Sequence, residues 1–228
     1  MEIRAVLFDL GGTLVDTRDF SGWADASRQV GLDVDADALA RAHLRLYGAE
    51  QPPRITFRER WAAVLSDATE RAVPNGVVDR FLQVLRSRPI GGSLFSDVRR
   101  CLDRLQRERR RLGIVSNSRS ESAVRELLGR LRVLPAFELV VSSGTENVEK
   151  PDPEIFRRAV GRLGLEPGSV LFLGDDVEND ARGAVRAGLH AVWLNRSGTG
   201  LGVDPPEITS LSEVPRVVRD LELAPSPN

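Results

Sequence analysis

Side chains able to act as nucleophiles, acids or ligands follow the ends of several apolar segments in this 228-residue chain. Asp9 closes the run AVLFD and precedes two glycines and a threonine, a loop flexible enough to enclose a ligand. Since ligands of an open parallel sheet bind beyond the carboxyl ends of its strands, we expect these side chains to meet at one edge. They are Asp9, then Ser116 with Asn117 and Ser118, then Lys150, and finally the pair Asp175 and Asp176 with Asp180 nearby.

The carboxylates of Asp9, Asp175 and Asp180 would form a site of hard oxygen ligands, the kind that Mg²⁺ prefers. Acids placed before helices also stabilise helix N-termini, and that role alone would account for Asp152 or Asp176. Helix capping does not account for acids, hydroxyls and an ammonium group at four strand ends. The pattern therefore predicts a Mg²⁺ site beside a site for a phosphate-type group.

Lys150 is the single lysine of a chain that contains 31 arginines. A guanidinium is a planar fork, whereas an ammonium is a compact point charge that fits a tight phosphate or carboxylate site. We therefore interpret Lys150 as a position that needs an ammonium.

Five apolar runs rich in β-branched residues predict strands at 5–9, 112–117, 138–143, 169–176 and 190–195. Helical patterns lie between them; in PEIFRRAVGRL the apolar residues fall on one face. The alternation predicts an α/β fold, a doubly wound parallel sheet with a Rossmann-like core.

Local signals predict where three of the helices begin or end. Ser118 and Glu121 have capping-box spacing, which predicts a helix start just after the second strand. Asp152 and Pro153 predict an N-cap followed by proline at the first helical position. Gly188 is placed to end a helix in the left-handed conformation.

Residues 17–90 interrupt the alternation with amphipathic helical stretches and no clear buried strand. The segment contains half of the chain's twelve aromatic residues, most of which we expect in a core of its own. The sequence thus predicts a core domain of residues 1–16 and 91–228 with a helical domain inserted at 17–90.

Composition excludes several classes of protein. A net charge of −1 shows no basic excess of the kind that marks nucleic-acid binding. No stretch approaches 18 apolar residues, so we expect no membrane span and a soluble, cytoplasmic protein. We expect it to be a monomer or a homodimer. The lone Cys101 fits a helix core in a reducing compartment. His43 and His190 lack partner spacing for a triad or zinc, and SGTGLG (197–202) is interpreted as a connector.

Four segments in order along the chain resemble the motifs of haloacid dehalogenase-like hydrolases. They are DLGGT (9–13), Ser116 in GIVSNS, Lys150 in EKPDPEIF, and GDDVENDARGA (174–184). The resemblance extends from about residue 3 to residue 215 and weakens only in the insertion, which is similar to the helical cap of one subgroup. One such motif would be weak evidence, whereas four in register with the predicted strands are specific.

The resemblance implies a Mg²⁺-dependent phosphatase that acts on a small phosphorylated metabolite. Asp9 would attack phosphorus and form an aspartyl-phosphate, which water then hydrolyses. Asp9, the Gly11 carbonyl and Asp175 would hold Mg²⁺, with Asp180 as a further ligand or as the holder of a water on the ion.

The remaining motif residues would bind the phosphate group. Ser116 and neighbouring amides would bind phosphate oxygens, helped by the following helix N-terminus. Lys150 would screen the nucleophile from the phosphate charge. Gly12, Thr13 and Asn117 are further phosphate-binding or supporting candidates.

The chain departs from the family pattern at Gly11, where phosphatases of this family usually have a second aspartate. That acid protonates the leaving oxygen and then activates water. General acid–base catalysis contributes about 10²–10⁴ in rate, or roughly 3–5 kcal/mol of barrier. Phosphoglucomutase-type chemistry depends on the missing aspartate and is not expected.

Three hypotheses follow from Gly11. In the first, the protein is a phosphatase whose general acid is supplied by the cap, by the substrate or by a water on the metal. A substrate with a good leaving group, such as an acyl phosphate, would also suffice for this hypothesis. Alternatively, it displaces a group that needs no proton, as the dehalogenases of this family do, although they need no metal and have an aromatic residue at the position of Gly11. In the third hypothesis, it is a catalytically weak member that binds a phosphorylated ligand or a partner.

Overall fold

The computed structural model describes residues 2–47, 57–88, 90–198 and 205–224. The chain divides into two compact units, one of Met1–Thr17 with Gly92–Asn228 and one of Arg18–Gly91. We call the first the core unit and the second the helical unit.

The core unit is built on parallel strands. Its described strands are β1 (Ala5–Phe8), β2 (Val15–Asp16), β3 (Ser93–Leu94), β4 (Arg111–Ser116), β5 (Leu139–Ser142), β6 (Val170–Gly174), β7 (His190–Leu194) and β8 (Glu207–Ile208). Six of them form one sheet in the order β5-β4-β1-β6-β7-β8, with every neighbouring pair parallel. β2 and β3 form a separate antiparallel pair.

β1 lies in the middle of the six-stranded sheet. Phe8 is in register with Ile114 of β4 on one side and with Leu173 of β6 on the other. All residues of β1 and β6 are buried, as expected for continuous apolar runs covered on both faces. The doubly wound α/β prediction is confirmed, and the strand order reverses at β1 and β6, where open sheets bind ligands.

The helices have the following bounds. Those of the helical unit are α1 (Phe20–Gln29), α2 (Ala36–Tyr47), α3 (Phe57–Ala68) and α4 (Asn75–Ser87). Those of the core unit are α5 (Val98–Arg107), α6 (Glu121–Arg130), α7 (Ser143–Glu146), α8 (Pro153–Leu163), α9 (Gly183–Arg186) and α10 (Val214–Leu223). Within the described ranges, single 3₁₀ turns lie at Leu134–Ala136, Pro167–Ser169 and Leu211–Glu213, and a π-helical turn at Val177–Arg182 leads into α9.

Two of the predicted helix ends are confirmed. Asp152 caps α8 by accepting a hydrogen bond from the Glu154 N–H, with Pro153 at the first helical position. Gly188 follows α9 with φ = 87°, in the left-handed region that favours glycine.

The predicted N-cap of α6 is wrong by two residues. α6 begins at Glu121, and Ser120 is its cap, since the Ser120 hydroxyl accepts from the Ala123 N–H at 3.2 Å. The Ser118 hydroxyl is instead paired with that of Ser116, at 2.6 Å. The capping-box spacing failed because Ser118 belongs to the loop that extends β4.

α5 and α8 each bury one apolar face against the sheet. Cys101 lies on the buried face of α5, 2% exposed, and its burial raises the pKa of its thiol to about 12. Such a thiol is almost entirely protonated at neutral pH, which agrees with the interpretation of Cys101 as a core residue.

The helical unit has its own apolar core. The Trp61 ring lies 4.7 Å from that of Trp23 and 5.0 Å from that of Phe81, measured between centroids. His43 of α2 packs against Trp23, and burial followed by the charges of Arg18 and Arg60 lowers the pKa of His43 to about 4. The Tyr47 and Phe57 side chains, and residues 199–202 of the predicted connector, lie outside the described part of the chain.

No described helix is both long enough and apolar enough to cross a membrane. His190 begins β7, and its Nε2 lies 3.1 Å from the Gly168 carbonyl oxygen.

Candidate active site

Asp9 and Asp175 lie side by side at the point where the strand order reverses. The Asp9 N–H donates to the Leu173 carbonyl at 2.8 Å, which extends the pairing of β1 and β6 by one residue. Asp175 directly follows β6. Two adjacent parallel strands thus deliver their first polar side chains to the same edge of the sheet.

Asp180 completes a cluster of three carboxylates. One oxygen from each of Asp9, Asp175 and Asp180 lies within 4.8 Å of the others. Asp180 reaches the cluster from the π-helical turn, and its Oδ2 accepts from the Asp176 N–H at 3.1 Å. A side chain at Gly174 would overlap the Asp180 carboxylate, so glycine at that position leaves room for the cluster.

Lys150 supplies the positive charge of the cluster. Its Nζ lies 2.6 Å from Asp9 Oδ1 and 2.5 Å from Asp180 Oδ1, and the residue is 4% exposed. Burial alone would lower the pKa of Lys150, but the charges of Asp180 and Asp9 outweigh it and raise that pKa above its ordinary value. The ammonium also lies 5.5 Å from the centre of the Phe172 ring.

The cluster carries more negative than positive charge. Burial, with a smaller contribution from Asp9, raises the pKa of Asp180 to about 7 despite the opposing charge of Lys150. Desolvation and then the charges of Asp9 and Asp180 raise the pKa of Asp175. Because Asp175 remains exposed to solvent, we attribute this direction chiefly to the neighbouring charges. Three carboxylates facing one ammonium suit a hard divalent cation, which favours ionised oxygen ligands.

The loop after β1 packs against Asp175. Gly12 has φ = 77°, a left-handed conformation that favours glycine, and a Cβ built on it would overlap the Asp175 carboxylate. Glycine is therefore required at this position both by the backbone conformation and by the close approach of Asp175. Thr13 is fully buried, and its hydroxyl lies 3.5 Å from Asp175 Oδ1. Gly11 has an ordinary φ, and a Cβ there would lie 3.2 Å from Thr17 Oγ1.

Ser116 and Asn117 lie at the end of β4, the other neighbour of β1. Ser116 is 4% exposed and its hydroxyl pairs with that of Ser118. The Asn117 amide donates to the Lys150 carbonyl and accepts from the Lys150 N–H, both at 2.9 Å. The Asn117 side chain therefore fixes the backbone that carries the ammonium.

Asp176 has a local structural role. Its carboxylate accepts from the N–H groups of Glu178 and Asn179, at 3.0 and 2.9 Å, and so caps the π-helical turn. The capping interpretation accounts for Asp176, whereas Asp175 and Asp180 face the cluster.

Two residues near the end of β7 contact the site and were missed by sequence reasoning. Trp193 donates from its indole to the Asp175 carbonyl at 2.9 Å. Arg196 donates to the carbonyls of the Gly12 loop. Their signal was available, because the run HAVWLN also ends at the carboxyl edge of the sheet and is followed by Arg196.

A family model for haloacid dehalogenase-like hydrolases matches residues 3–188. The chain therefore belongs to this family of hydrolases, as its four motifs predict.

Relatives within the family include phosphatases and dehalogenases. Human N-acylneuraminate-9-phosphatase is 26% identical over 244 residues, covering 96% of this chain and 95% of the relative. Phosphoglycolate phosphatase of Photorhabdus laumondii is 28% identical over 218 residues, covering 93% and 91%. A crystal structure of 2-haloacid dehalogenase from Pseudomonas syringae superposes with a TM-score of 0.64 at 26% identity, covering 96% of this chain and 99% of that one.

Proposed function

We propose that the protein is a Mg²⁺-dependent phosphatase that hydrolyses a small phosphorylated metabolite through an aspartyl-phosphate on Asp9. The observation that carries the proposal is the cluster itself, in which Asp9, Asp175 and Asp180 converge around the Lys150 ammonium. The phosphatases among the relatives support the same reaction class.

Asp9, Asp175 and the Gly11 carbonyl would hold the Mg²⁺ ion, with Asp180 close by, and the bound ion would offset negative charge on the phosphate and on the carboxylates. The donor set fits this role because it consists of hard oxygens with excess negative charge.

Asp9 is assigned as the nucleophile. One of its oxygens forms a bond to phosphorus while the bond from phosphorus to the leaving oxygen breaks, and water later releases phosphate from Asp9. Lys150 reduces the repulsion between the carboxylate and the phosphoryl oxygens, and the fixed position of its backbone avoids reorganisation during the reaction. Ser116 and the amides of the following loop are assigned to the phosphoryl oxygens.

Gly11 limits the range of substrates. With no carboxyl group at position 11, the leaving group departs without a proton from that position, so phosphates with good leaving groups should react fastest. An acyl or aryl phosphate meets this requirement, whereas an alkyl phosphate should lose most of about 10²–10⁴ in rate.

A second candidate function, supported by Gly11, is binding of a phosphorylated ligand without efficient turnover. It retains the roles of Ser116 and Lys150 in binding and assigns no turnover to Asp9. It predicts tight binding of phosphate compounds with little release of phosphate.

The test is a phosphate-release assay with Mg²⁺ on acetyl phosphate, p-nitrophenyl phosphate and simple alkyl phosphates. We expect the wild-type protein to hydrolyse the first two, and EDTA or Asp9→Asn to abolish the activity. Inactivity of the wild type on every compound, with activity appearing in Gly11→Asp, would favour the binding function. Halide release from 2-haloacids without metal would instead identify a dehalogenase.

A further inference from the structure

Arg196 joins the end of β7 to the loop that follows the nucleophile. Its Nε donates to the Gly12 carbonyl at 3.2 Å and its Nη2 donates to the Thr13 carbonyl at 2.7 Å. The side chain is 22% exposed, so these hydrogen bonds are largely shielded from water. No sequence motif of the chain includes this residue.

Asp97, which precedes α5, fixes the orientation of the Arg196 guanidinium. The two side chains form a bidentate pair, with Nη1–Oδ2 at 3.0 Å and Nη2–Oδ1 at 3.1 Å. The Phe95 ring lies against the guanidinium, with 3.9 Å between Cζ and the ring centre. Asp97 Oδ2 also accepts from the Ser210 hydroxyl and the Leu211 N–H, both at 2.9 Å.

This network stabilises the charged form of Asp97. Burial alone would raise the pKa of Asp97, but the hydrogen bonds from Arg196 and the Leu211 N–H lower it below its ordinary value. A planar guanidinium can satisfy a carboxylate and two backbone carbonyls at once, and an ammonium lacks that geometry.

The two carbonyls held by Arg196 belong to the segment that packs against Asp175. Gly12 is in the left-handed region, and its Cα leaves no room for a side chain beside the Asp175 carboxylate. Each peptide unit is planar, so a hydrogen bond that fixes a carbonyl also fixes the plane of its peptide. Arg196 therefore fixes the two consecutive peptides that follow Gly12 and Thr13. The Gly11 carbonyl lies one peptide earlier in the same turn.

We propose that Arg196 is a positioning residue that holds the Gly11–Thr13 loop in the conformation that lets the Gly11 carbonyl and Asp175 bind the same cation. The role in cation binding rests on the proposed Mg²⁺-dependent function, whereas the loop conformation does not. Asp97 acts through Arg196, so the two residues form one unit.

Arg110 provides a matched control within the core unit. It forms a bidentate pair with Glu222, at 2.8 and 3.1 Å, and donates to the Ile3 carbonyl, with 14% of its side chain exposed. It precedes β4 and therefore lies at the opposite end of the sheet from the candidate site. Removing Arg110 deletes the same kind of interaction without touching the nucleophile loop.

The experiment compares Arg196→Met, Arg196→Lys, Asp97→Asn and Arg110→Met with the wild type in two measurements. Hydrogen exchange of peptides covering residues 8–16 reports the loop, and Mg²⁺ titration by calorimetry reports the cation site. We expect all four variants to lower Tm. We expect Arg196→Met to speed hydrogen exchange of the loop at least tenfold and to weaken Mg²⁺ binding about 10–100-fold. Arg110→Met should change neither quantity.

Arg196→Lys should recover only part of the loss, and combining Asp97→Asn with Arg196→Met should add little to Arg196→Met alone. Equal exchange and equal Mg²⁺ affinity in Arg196→Met and Arg110→Met would overturn the proposal. If Arg196→Met does not fold, Asp97→Asn is compared with Arg110→Met by the same criteria. If the wild type neither binds Mg²⁺ nor releases phosphate, the proposed function fails, and the exchange data alone decide whether Arg196 positions the loop.

Discussion

The side-chain amide of Asn117 makes two hydrogen bonds to the backbone of one residue, Lys150, which lies 33 positions further along the chain. This pairing ties the end of β4 to the segment that places the ammonium against Asp9. The position of the ammonium therefore depends on an amide group that does not itself touch the carboxylates.

Asn117→Leu removes both hydrogen bonds at similar size. We expect kcat on p-nitrophenyl phosphate to fall at least tenfold, because the Lys150 backbone is no longer fixed. Asn117→Asp, which retains only the acceptor, should give an intermediate rate. Wild-type kcat in Asn117→Leu would show that the pairing has no effect on the reaction.

Lys150→Arg tests the need for an ammonium. The single nitrogen of the ammonium contacts both Asp9 and Asp180, and a planar guanidinium cannot reproduce this compact arrangement. We therefore expect kcat to fall about 10²–10³-fold, as for the loss of a preorganised charge. Arg110→Lys is the control, because it also replaces one basic side chain by the other but lies away from the site. It should keep wild-type kcat. An active Lys150→Arg protein would contradict our interpretation of the chain's only lysine.

Gly12→Ala tests the close approach of the loop to Asp175. Gly164→Ala is the control, since Gly164 also has a positive φ, 61°, but a Cβ added there would have nothing within 4 Å. Both changes should cost about 1–2 kcal/mol of stability for the left-handed backbone. Only Gly12→Ala should also weaken Mg²⁺ binding, by tenfold or more, as measured by calorimetry. Equal affinities in the two variants would exclude the steric explanation.

Gly11→Asp tests the missing acid. The φ of Gly11 is ordinary and the nearest atom to an added Cβ is Thr17 Oγ1 at 3.2 Å, so a small movement of Thr17 admits the new side chain. We expect hydrolysis of alkyl phosphates to rise about 10²-fold, with a smaller change for p-nitrophenyl phosphate. Gly11→Asn has the same shape without the acid and should show no gain. A similar gain in both variants would mean that shape, not proton transfer, limits the rate.

His43 predicts a pH dependence of stability in the helical unit. Its pKa is lowered to about 4, so an unfolded chain takes up a proton near pH 6.5 that the folded chain does not accept until about pH 4. Stability should therefore fall as the pH is lowered through this window, by about 1–2 kcal/mol after allowance for the partly exposed ring. Urea unfolding of wild type and His43→Gln at pH 7.0 and 4.5 gives the difference between their free energies of unfolding. Going from pH 7.0 to 4.5 should change this difference in favour of the variant, because the variant lacks the group that takes up the proton on unfolding. A constant difference would contradict the lowered pKa.

The sequence predicted the central strands and the acids at their ends because each strand is a continuous apolar run that stops at a polar residue. Asp9 and Asp175 follow this rule directly. Lys150 was found from composition, since it is the only lysine. These signals are local and need no knowledge of tertiary contacts.

The remaining features depend on contacts between distant residues. Arg196 follows a predicted strand, which places it at the carboxyl edge of the sheet, but no local pattern shows its pairing with Asp97, 99 positions away. Ser118 was predicted to cap a helix because the sequence spacing does not show the loop geometry, which instead places the Ser118 hydroxyl against that of Ser116. Two-residue strands such as β8 carry too few residues for a periodic pattern.

The central place of β1 also orders the events of biosynthesis. Ala5 pairs with Arg111 and Val170, so β1 finds its two neighbours in the sheet only after more than a hundred further residues have been made. Contacts of such long range form late in folding. The carboxylate assigned as nucleophile consequently stays apart from its lysine and from the other two acids until residues 150–180 have been synthesised, and chains that end before residue 150 should be inert.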